Sequence, residues 1–402
     1  MFIARQPIFN TEIEVIGYEL LYRSGNQSQE YDGVSSEEST ASVIIGLFEA
    51  GLDNIIEDKY AFINFDGNFI HTDALELIEP DRLIVEMLED VEVDDLLTDR
   101  LKEVKHKGYR IALDDFRESY NDYPLTEYAD IIKYDLLATP LTTIAIDVDK
   151  ALLNKKTILA EKVETEEDFL MAKEMGFQLF QGYFFCKPHI AGKSFDKSAS
   201  KGQYIRIIAE LKKDEPSFEM LSEIVEQDVT LAYRFLRVVS FRKGSDLVYS
   251  IKSALTYMGL NEIERWINIL MLQDLGKSKP KELMKISLIR SSFSESLAEH
   301  LGLNGLAHEA SLMGLLSVLD AMLDQSMEEA LDGIALPDSI LAALIDHEGI
   351  LLPVYELQIA YETADWSTVD AISKQFSIDA NQLFEEYMIA LEWANDVVGK
   401  IA

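Results

Sequence analysis

Polar residues stand directly behind short apolar runs all through the first half of this sequence. Glu19 opens the run Glu19-Leu20-Leu21-Tyr22-Arg23. Asn64 follows Ala61-Phe62-Ile63, Glu86 follows Leu83-Ile84-Val85, and the pair Asp114-Asp115 follows Ile111-Ala112-Leu113. Lys133 and Asp135 come after Ile131-Ile132, Glu161 after Ile158-Leu159-Ala160, and Gln181 after Leu179-Phe180. These are mainly hard oxygen donors, which suit Mg²⁺ or Mn²⁺ better than zinc. A pair of such ions bridged by Asp114 can hold a phosphodiester and activate water for in-line attack. Lys133 can steady that water or the developing charge. One carboxylate at the end of a strand is more often a helix cap or a solvated loop residue, and an Asp-Asp pair is often structural. The argument rests on the whole series, each member behind its own apolar run.

Chemistry of this kind needs elements that bring distant residues to one place. Phe2–Phe9 and Glu14–Tyr22 read as two strands joined by a turn at Asn10–Glu12, a hairpin. Ser39–Ala50 has helical spacing and ends at Gly51. Tyr60–Phe65, Arg82–Met87, Arg110–Leu113, Asp130–Lys133, Thr157–Ala160 and Leu179–Phe185 read as further strands. Asp94–His106, Thr142–Leu153 and Glu166–Glu174 read as helices, the first and last stopped by Gly108 and Gly176. Strand and helix alternate, which means βα units on a parallel sheet. Seven or eight such strands predict an α/β, TIM-like barrel, whose strand C-termini converge on one mouth. The competing doubly wound sheet lacks a glycine-rich phosphate loop after the first strand.

After Pro188 the texture changes. Ala191–Gln203, rich in Lys, Ser and Gly, reads as a linker, and nearly everything beyond it has helical periodicity. Met220–Gln227, Leu231–Val239, Ile251–Met258, Ile263–Leu272, Ile286–Leu301, Ala307–Leu323 and Ser339–His347 are the clearest examples. Expected domains are therefore a barrel over 1–192 and an all-α domain over 203–402. No short repeat of fixed period is present, which disfavours a solenoid.

Composition excludes several functions. The 402 residues carry 36 Lys and Arg against 72 Asp and Glu, a formal charge of −36. Such a surface repels nucleic-acid phosphates and disfavours anionic lipid, so no DNA, RNA or membrane partner is expected. Hydrophobic residues make up 48% of the chain, enough for real cores and against global disorder. The single cysteine, Cys186, rules out a disulfide framework and fits a reducing compartment. The N-terminus has no basic-then-apolar signal segment, and no uncharged apolar run approaches the roughly 18 residues of a membrane helix. A cytoplasmic protein is expected.

Glu19-Leu20-Leu21-Tyr22-Arg23 resembles the E-A-L-x-R signature of EAL domains, the cyclic di-GMP phosphodiesterases. The resemblance runs from about Arg5 to Pro188. It takes in Gln6-Pro7, Asn64, Glu86-Met87-Leu88-Glu89, Asp114-Asp115-Phe116, Lys133-Tyr134-Asp135, Ala160-Glu161-Lys162-Val163-Glu164-Thr165 and Gln181-Gly182-Tyr183-Phe184-Phe185. It implies a barrel that binds cyclic di-GMP across its mouth with two Mg²⁺ or Mn²⁺ ions. By the same resemblance Glu19, Asn64, Glu86 and Asp114 are metal ligands, with Asp115 in the same site. Lys133, Glu161 and Asp115 are the implied catalytic residues, Lys133 at the nucleophilic water. Gln6, Arg23, Asp135 and Gln181 are the implied substrate-binding residues, with Arg23 on a phosphate, and Glu89 is the implied loop anchor. The sequence departs from the pattern at Leu20, at Leu88, at Lys162 (a glycine in E-G-V-E), and in Phe116-Arg117-Glu118-Ser119-Tyr120-Asn121-Asp122. There Arg117 and Ser119 replace the glycines of F-G-T-G-Y-S-S, so the loop is expected to take another path.

The second half resembles the HDOD domain, a non-enzymatic relative of HD phosphohydrolases, from about Gln203 to Ile350. The matching stretches are Ile224–Leu231, Phe235–Ser240 with Val239 at the usual Asn, Ile251–Leu255 with Met258-Gly259-Leu260, and Gly314-Leu315-Leu316. None of the six histidines is followed by Asp, so the His-Asp ligand pair of an HD hydrolase is absent. His300, His308 and His347 read as cap, surface or buried hydrogen-bonding residues, and Trp266 as core. The expected function is a cyclic di-GMP phosphodiesterase producing linear pGpG, with the HDOD domain as a regulatory or interaction module for an unknown protein partner. The alternative is a cyclic di-GMP receptor or scaffold with little turnover that acts through the HDOD domain. Homodimerisation stays open.

Overall fold

The computed structural model describes residues 2–23, 51–67, 69–88, 91–117, 119–182, 199–213, 215–227, 231–232, 235, 250–275, 280–323, 325–331 and 336–401. The expected helix at Ser39–Ala50, the end of the last expected strand at Tyr183–Phe185, and most of Leu231–Val239 lie outside them.

Eight strands close into a barrel in the order β1 to β8. They are β1 (Phe2–Asn10), β2 (Val15–Arg23), β3 (Tyr60–Phe65), β4 (Leu83–Met87), β5 (Arg110–Leu113), β6 (Ile131–Asp135), β7 (Thr157–Glu161) and β8 (Leu179–Phe180). From β2 to β8 every neighbouring pair is parallel, whereas β1 runs antiparallel to both β2 and β8. The hairpin forms because Asn10 closes its own turn: its Oδ1 accepts the N–H groups of Glu12 and Glu14, both at 2.9 Å. Reversal of β1 decides which of its residues reach the mouth. In every other strand the C-terminal end lies there; in β1 the earlier residue Gln6 pairs with Glu19 of β2.

Helices between the strands start on side-chain caps. Asp94 accepts from Leu97 N at 2.7 Å, and Thr165 accepts from Asp168 N at 3.1 Å. The helix Asp95–His106 ends in Lys105 and His106, which complement its C-terminal dipole, and buries Leu97, Leu101 and Val104. Each fully buried side chain of this size contributes about 1.5–3 kcal/mol.

Two findings differ from the sequence expectation in the barrel. The strand expected to end at Lys133 runs on to Asp135, so Lys133 lies inside β6. Its long methylene stem tolerates the interior, and its charge is met there by carboxylates. The described part of β8 is Leu179–Phe180.

The chain divides into two compact units. One contains 1–187, 300–302 and 353–392; the other contains 188–299, 303–352 and 393–402. The segment 353–392, expected within the helical domain, thus groups with the barrel. It contributes an aromatic cluster in which Tyr361, fully buried, meets Trp366 at 5.7 Å and Tyr387 at 4.8 Å between ring centroids.

The described elements of the other unit are all helices. The first of them, Ala199–Leu211, begins inside the expected linker. Polar composition concealed the apolar positions Tyr204 and Ile207, which are buried. The stretch expected as one helix at Ala307–Leu323 is two, Ala307–Leu316 and Leu319–Leu323. Ser317 breaks it by bonding its hydroxyl back to Gly314 O at 2.7 Å. By length and composition Asn304–Leu323 would suffice to cross a membrane, yet 72% of its most apolar 18-residue window is buried inside the protein. It is core.

At Gly314 two helices approach closely. A Cβ there would stand 2.3 Å from Arg290 O and 2.6 Å from Arg290 C, both backbone atoms that cannot swing away. Gly314→Ala is therefore expected to lower stability by about 1–3 kcal/mol, the usual range for overpacking. Urea denaturation of the full chain checks this; an unchanged midpoint would contradict the close approach.

Candidate active site at the barrel mouth

The barrel interior is built in layers. Ile8, Phe62, Ile84, Ala112, Ile131 and Leu159 form one buried cluster, each from a different strand. Two residues further along β3 to β7 come Asn64, Glu86, Asp114, Lys133 and Glu161. Side chains two apart on a strand share a face, so the polar layer sits directly on the apolar one, towards the mouth. Asp114 lies just past β5 but keeps the ladder, donating its N–H to Met87 O at 3.0 Å. Gln181 does the same after β8, donating to Ala160 O at 2.8 Å. The chain then passes hard against Val163, where Gly182 has φ +154 and a Cβ would stand 2.3 Å from Val163 N.

Lys133 is the centre of this layer. It has no exposed surface, and its Nζ lies 2.7 Å from Asp114, 2.8 Å from Glu86, 2.9 Å from Glu161 and 3.4 Å from Glu19. Glu19 is held from the other side: Gln181 Nε2 donates to its Oε2 at 2.8 Å and to Gln6 Oε1 at 3.0 Å. Six expected site residues are thereby joined to Lys133: Glu19, Glu86, Asp114 and Glu161 directly, and Gln181 and Gln6 through Glu19. Asn64 pairs in register with Glu86 across β3 and β4.

The electrostatics of the layer are lopsided. One ammonium faces four carboxylates. Burial works against the charge on Lys133, but Glu161, Glu19, Glu86 and Asp114 together hold its pKa well above the ordinary lysine range. Burial pushes the Glu86 carboxyl well above its usual range; Lys133 opposes this, and Glu19 and Asp114 add to it. Burial, opposed by Lys133 and reinforced by Asp114 and Glu19, pushes Glu161 up to about 8. Among the described residues neither oxygen of Glu86, nor Asp114 Oδ1, has a well-oriented hydrogen-bond donor, despite the nearness of Lys133. Buried carboxylates in excess of their counter-charge are costly. A hard divalent cation meets that excess, and the oxygen-only donor set Glu19, Asn64, Glu86 and Asp114 suits one. Among the described residues no three His, Cys, Asp or Glu groups are already closed to metal-ligand spacing. Lys133 stands among the carboxylates instead.

Asp115 and Asp135, the outer acids, are not among the carboxylates around Lys133, and each meets a cation of its own. Asp115 has φ 41, the left-handed region, and its carboxylate lies 3.6 Å from the Arg117 guanidinium. Asp135 caps its own turn, accepting from Leu137 N at 2.8 Å and Ala138 N at 3.1 Å through Oδ1. Its Oδ2 takes the Lys162 ammonium at 2.5 Å. Burial disfavours its charge, but Lys162 and the two amides hold its pKa below the ordinary value. Lys162 has φ 52. Neither Arg117 nor Ser119 has a positive φ; the left-handed residue beside the pair is Asp115 itself. The Arg23 side chain and all of Glu89 lie outside the described residues.

In sequence, Lys162 and Arg117 are visible as departures from a glycine pattern, but not as the partners of Asp135 and Asp115. A basic residue replacing glycine beside an acidic pair is the signal that points to such a role.

The helical unit has its own cavity of about 240 Å³, lined by Arg265, Glu295, His308, Asn261, Asn268 and Ser311 among others. Glu295 lies 3.5 Å from both Arg265 and His308. His308 is mostly exposed, and His347 ends a helical turn in the left-handed conformation, both as expected. Trp266 is buried core.

The EAL domain model matches residues 64–188 and the HDOD domain model matches 200–335. Over 99% of this chain and 99% of its own length, the uncharacterized protein YuxH of Bacillus subtilis is 34% identical. The cyclic di-GMP phosphodiesterase CdgJ of Vibrio cholerae is 31% identical over 98% of this chain and 93% of its own. The chain belongs to the EAL–HDOD family. Among solved structures, the EAL-domain protein YkuI of Bacillus subtilis, in complex with cyclic di-GMP and calcium, is 23% identical over 62% of this chain and 70% of that one, with a TM-score of 0.40. In this EAL–HDOD chain, Gln6 and Glu19 precede the span matched by the EAL model, yet β1 and β2 close the barrel and carry both to the mouth.

Proposed function

We propose that this EAL–HDOD chain is a metal-dependent phosphodiesterase that hydrolyses cyclic di-GMP to linear pGpG. The observation that carries the reading is the Lys133 ammonium fixed among four mouth carboxylates, with donors left over for hard cations. The likeness to CdgJ along nearly its whole length supports it.

Glu19, Asn64, Glu86 and Asp114 would hold one divalent ion, and Asp114 with Asp115 a second. Bound there, such ions supply Lewis-acid stabilisation and a water of lowered pKa. The protein does the rest. The chain of amides from Gln6 through Gln181 locks Glu19 in one orientation. The four carboxylates around it hold the Lys133 ammonium in place by charge, so that it steadies the attacking oxygen and the charge on the phosphate. Attack of water forms one P–O bond and breaks the bond to the sugar oxygen, which leaves with a proton. Arg23 and the Gln181 amide would hold the dinucleotide.

Purified full-length protein with cyclic di-GMP and Mn²⁺, read by product chromatography, is expected to give the linear dinucleotide, and a chelator is expected to abolish it. Binding without product would favour the receptor reading, towards which the pairing of Asp135 with Lys162 points. Neither binding nor product would overturn both.

The helical unit serves in this reading as an interaction or relay module for a protein partner. With Cys186 as the lone thiol, the reading places the chain in the reducing cytoplasm.

A further inference from the structure

The two basic residues at the mouth stand where the EAL pattern has glycine, and each meets one of the two outer acids. Lys162 reaches Asp135 at 2.5 Å, and Arg117 reaches Asp115 at 3.6 Å. The two substitutions are 45 residues apart in sequence and come from different loops. Lys162 also feels Asp115, so its charge acts on both outer acids, and more weakly Glu161 of the inner group. It keeps its place at a cost: a non-glycine residue at φ 52 gives up on the order of 1 kcal/mol. The acid it meets is nearly buried, with 6% of its side chain exposed, while the ammonium itself is half exposed, so the pair is partly screened by solvent. The Arg117 pair is more exposed and contributes less.

The inner group differs. Its four carboxylates share a single ammonium, and the excess charge is left unmet. The mouth therefore divides into an inner group short of cations and an outer group already supplied with two.

Resting on the function proposed above, we infer that Lys162 and Arg117 stand in for the outer divalent ion, so that this chain takes one ion tightly where two would otherwise bind. Ion affinity depends on the net charge of the donor set, and a built-in ammonium and guanidinium, each paired with an outer acid, lower it chiefly at the outer group.

Mn²⁺ binding to the full chain, counted by electron paramagnetic resonance and calorimetry, tests this without reference to turnover. The natural chain is expected to hold one tight ion. The double variant Lys162→Gly with Arg117→Gly is expected to bind a second ion at least ~10-fold more tightly than the natural chain, about 1.4 kcal/mol. Glycine relieves the backbone at 162, so the variant should fold. Lys162→Asn, neutral and tolerant of the left-handed conformation, should move the same way by a smaller factor. Two tight ions in the natural chain, or a second-ion affinity unchanged in both variants, would overturn the inference. Cyclic di-GMP binding measured on the same samples separates the two readings. If the dinucleotide binds with two tight ions, only this inference falls. If neither ion nor dinucleotide binds, the proposed function falls and takes this inference with it.

Discussion

Lys133→Met in chelator is expected to cost the folded protein about 3–5 kcal/mol, the usual result of removing one partner from a buried charge group. Methionine keeps most of the lysine stem, so the packing of β6 changes little, but Glu19, Glu86, Asp114 and Glu161 lose their shared counter-charge. Excess Mn²⁺ should restore part of the loss, because binding to the folded state alone stabilises it by mass action. Turnover should not return with it: a preorganised donor at the reacting atoms is worth on the order of 10²–10³ in rate. The pH dependence has a definite sign. The Glu161 pKa, about 8 in the folded chain, lies above its ordinary value of 4.5. Stability of the chelated natural protein from this group is therefore fully present below about pH 4.5 and is lost as the pH rises through about 8. Urea denaturation with chelator and with Mn²⁺, across that range, measures all of this. Equal stability of variant and natural chain in chelator would mean that the lysine does not neutralise the cluster.

Glu86→Gln is expected to move activity and stability in opposite directions. Glu86 has no exposed surface, and burial beside Glu19 and Asp114 disfavours its charged form. A neutral amide of the same shape removes a like-charge repulsion, so the chelated variant should gain about 0.5–2 kcal/mol, as when strained functional sites are relaxed. Hydrolysis should fall by on the order of 10²–10³ or more, because a ligand oxygen is lost where charge develops. A purely structural carboxylate would show both quantities falling together. Product chromatography beside a denaturation curve distinguishes the cases, and a stable variant with undiminished turnover would remove Glu86 from the site.

Much of the site was legible because the period of a strand is short. Phe62 and Asn64, Ile84 and Glu86, Ala112 and Asp114, and Leu159 and Glu161 each stand two apart, which puts an apolar and a polar residue on one face. Ile131 and Lys133 repeat the pattern, although the sequence suggested that the strand ended where it continues. Helix boundaries read well where a cap and a stop were both present, as at Asp94 and His106. They failed at Ser317, where a hydroxyl bonding back to the chain interrupts a continuous apolar pattern. They failed also at Ala199–Leu211, where polar composition masks a buried face.

The sequence by itself determined which residues are available for chemistry and on which face of each strand they lie, because alternation is a local property of an extended backbone. It also determined the two textures, strand with helix and then helix alone, because hydrophobic period needs no partner to be read. Only the tertiary structure decided that one ammonium would be shared by four carboxylates, since that depends on closing β1 to β8 into a ring and on the height of each strand within it. It alone reversed β1, so that Gln6 rather than a later residue meets Gln181 and steadies Glu19. It alone brought Lys162 to Asp135 and returned 353–392 to the barrel unit, because such contacts join residues far apart in the chain, and no local pattern records them.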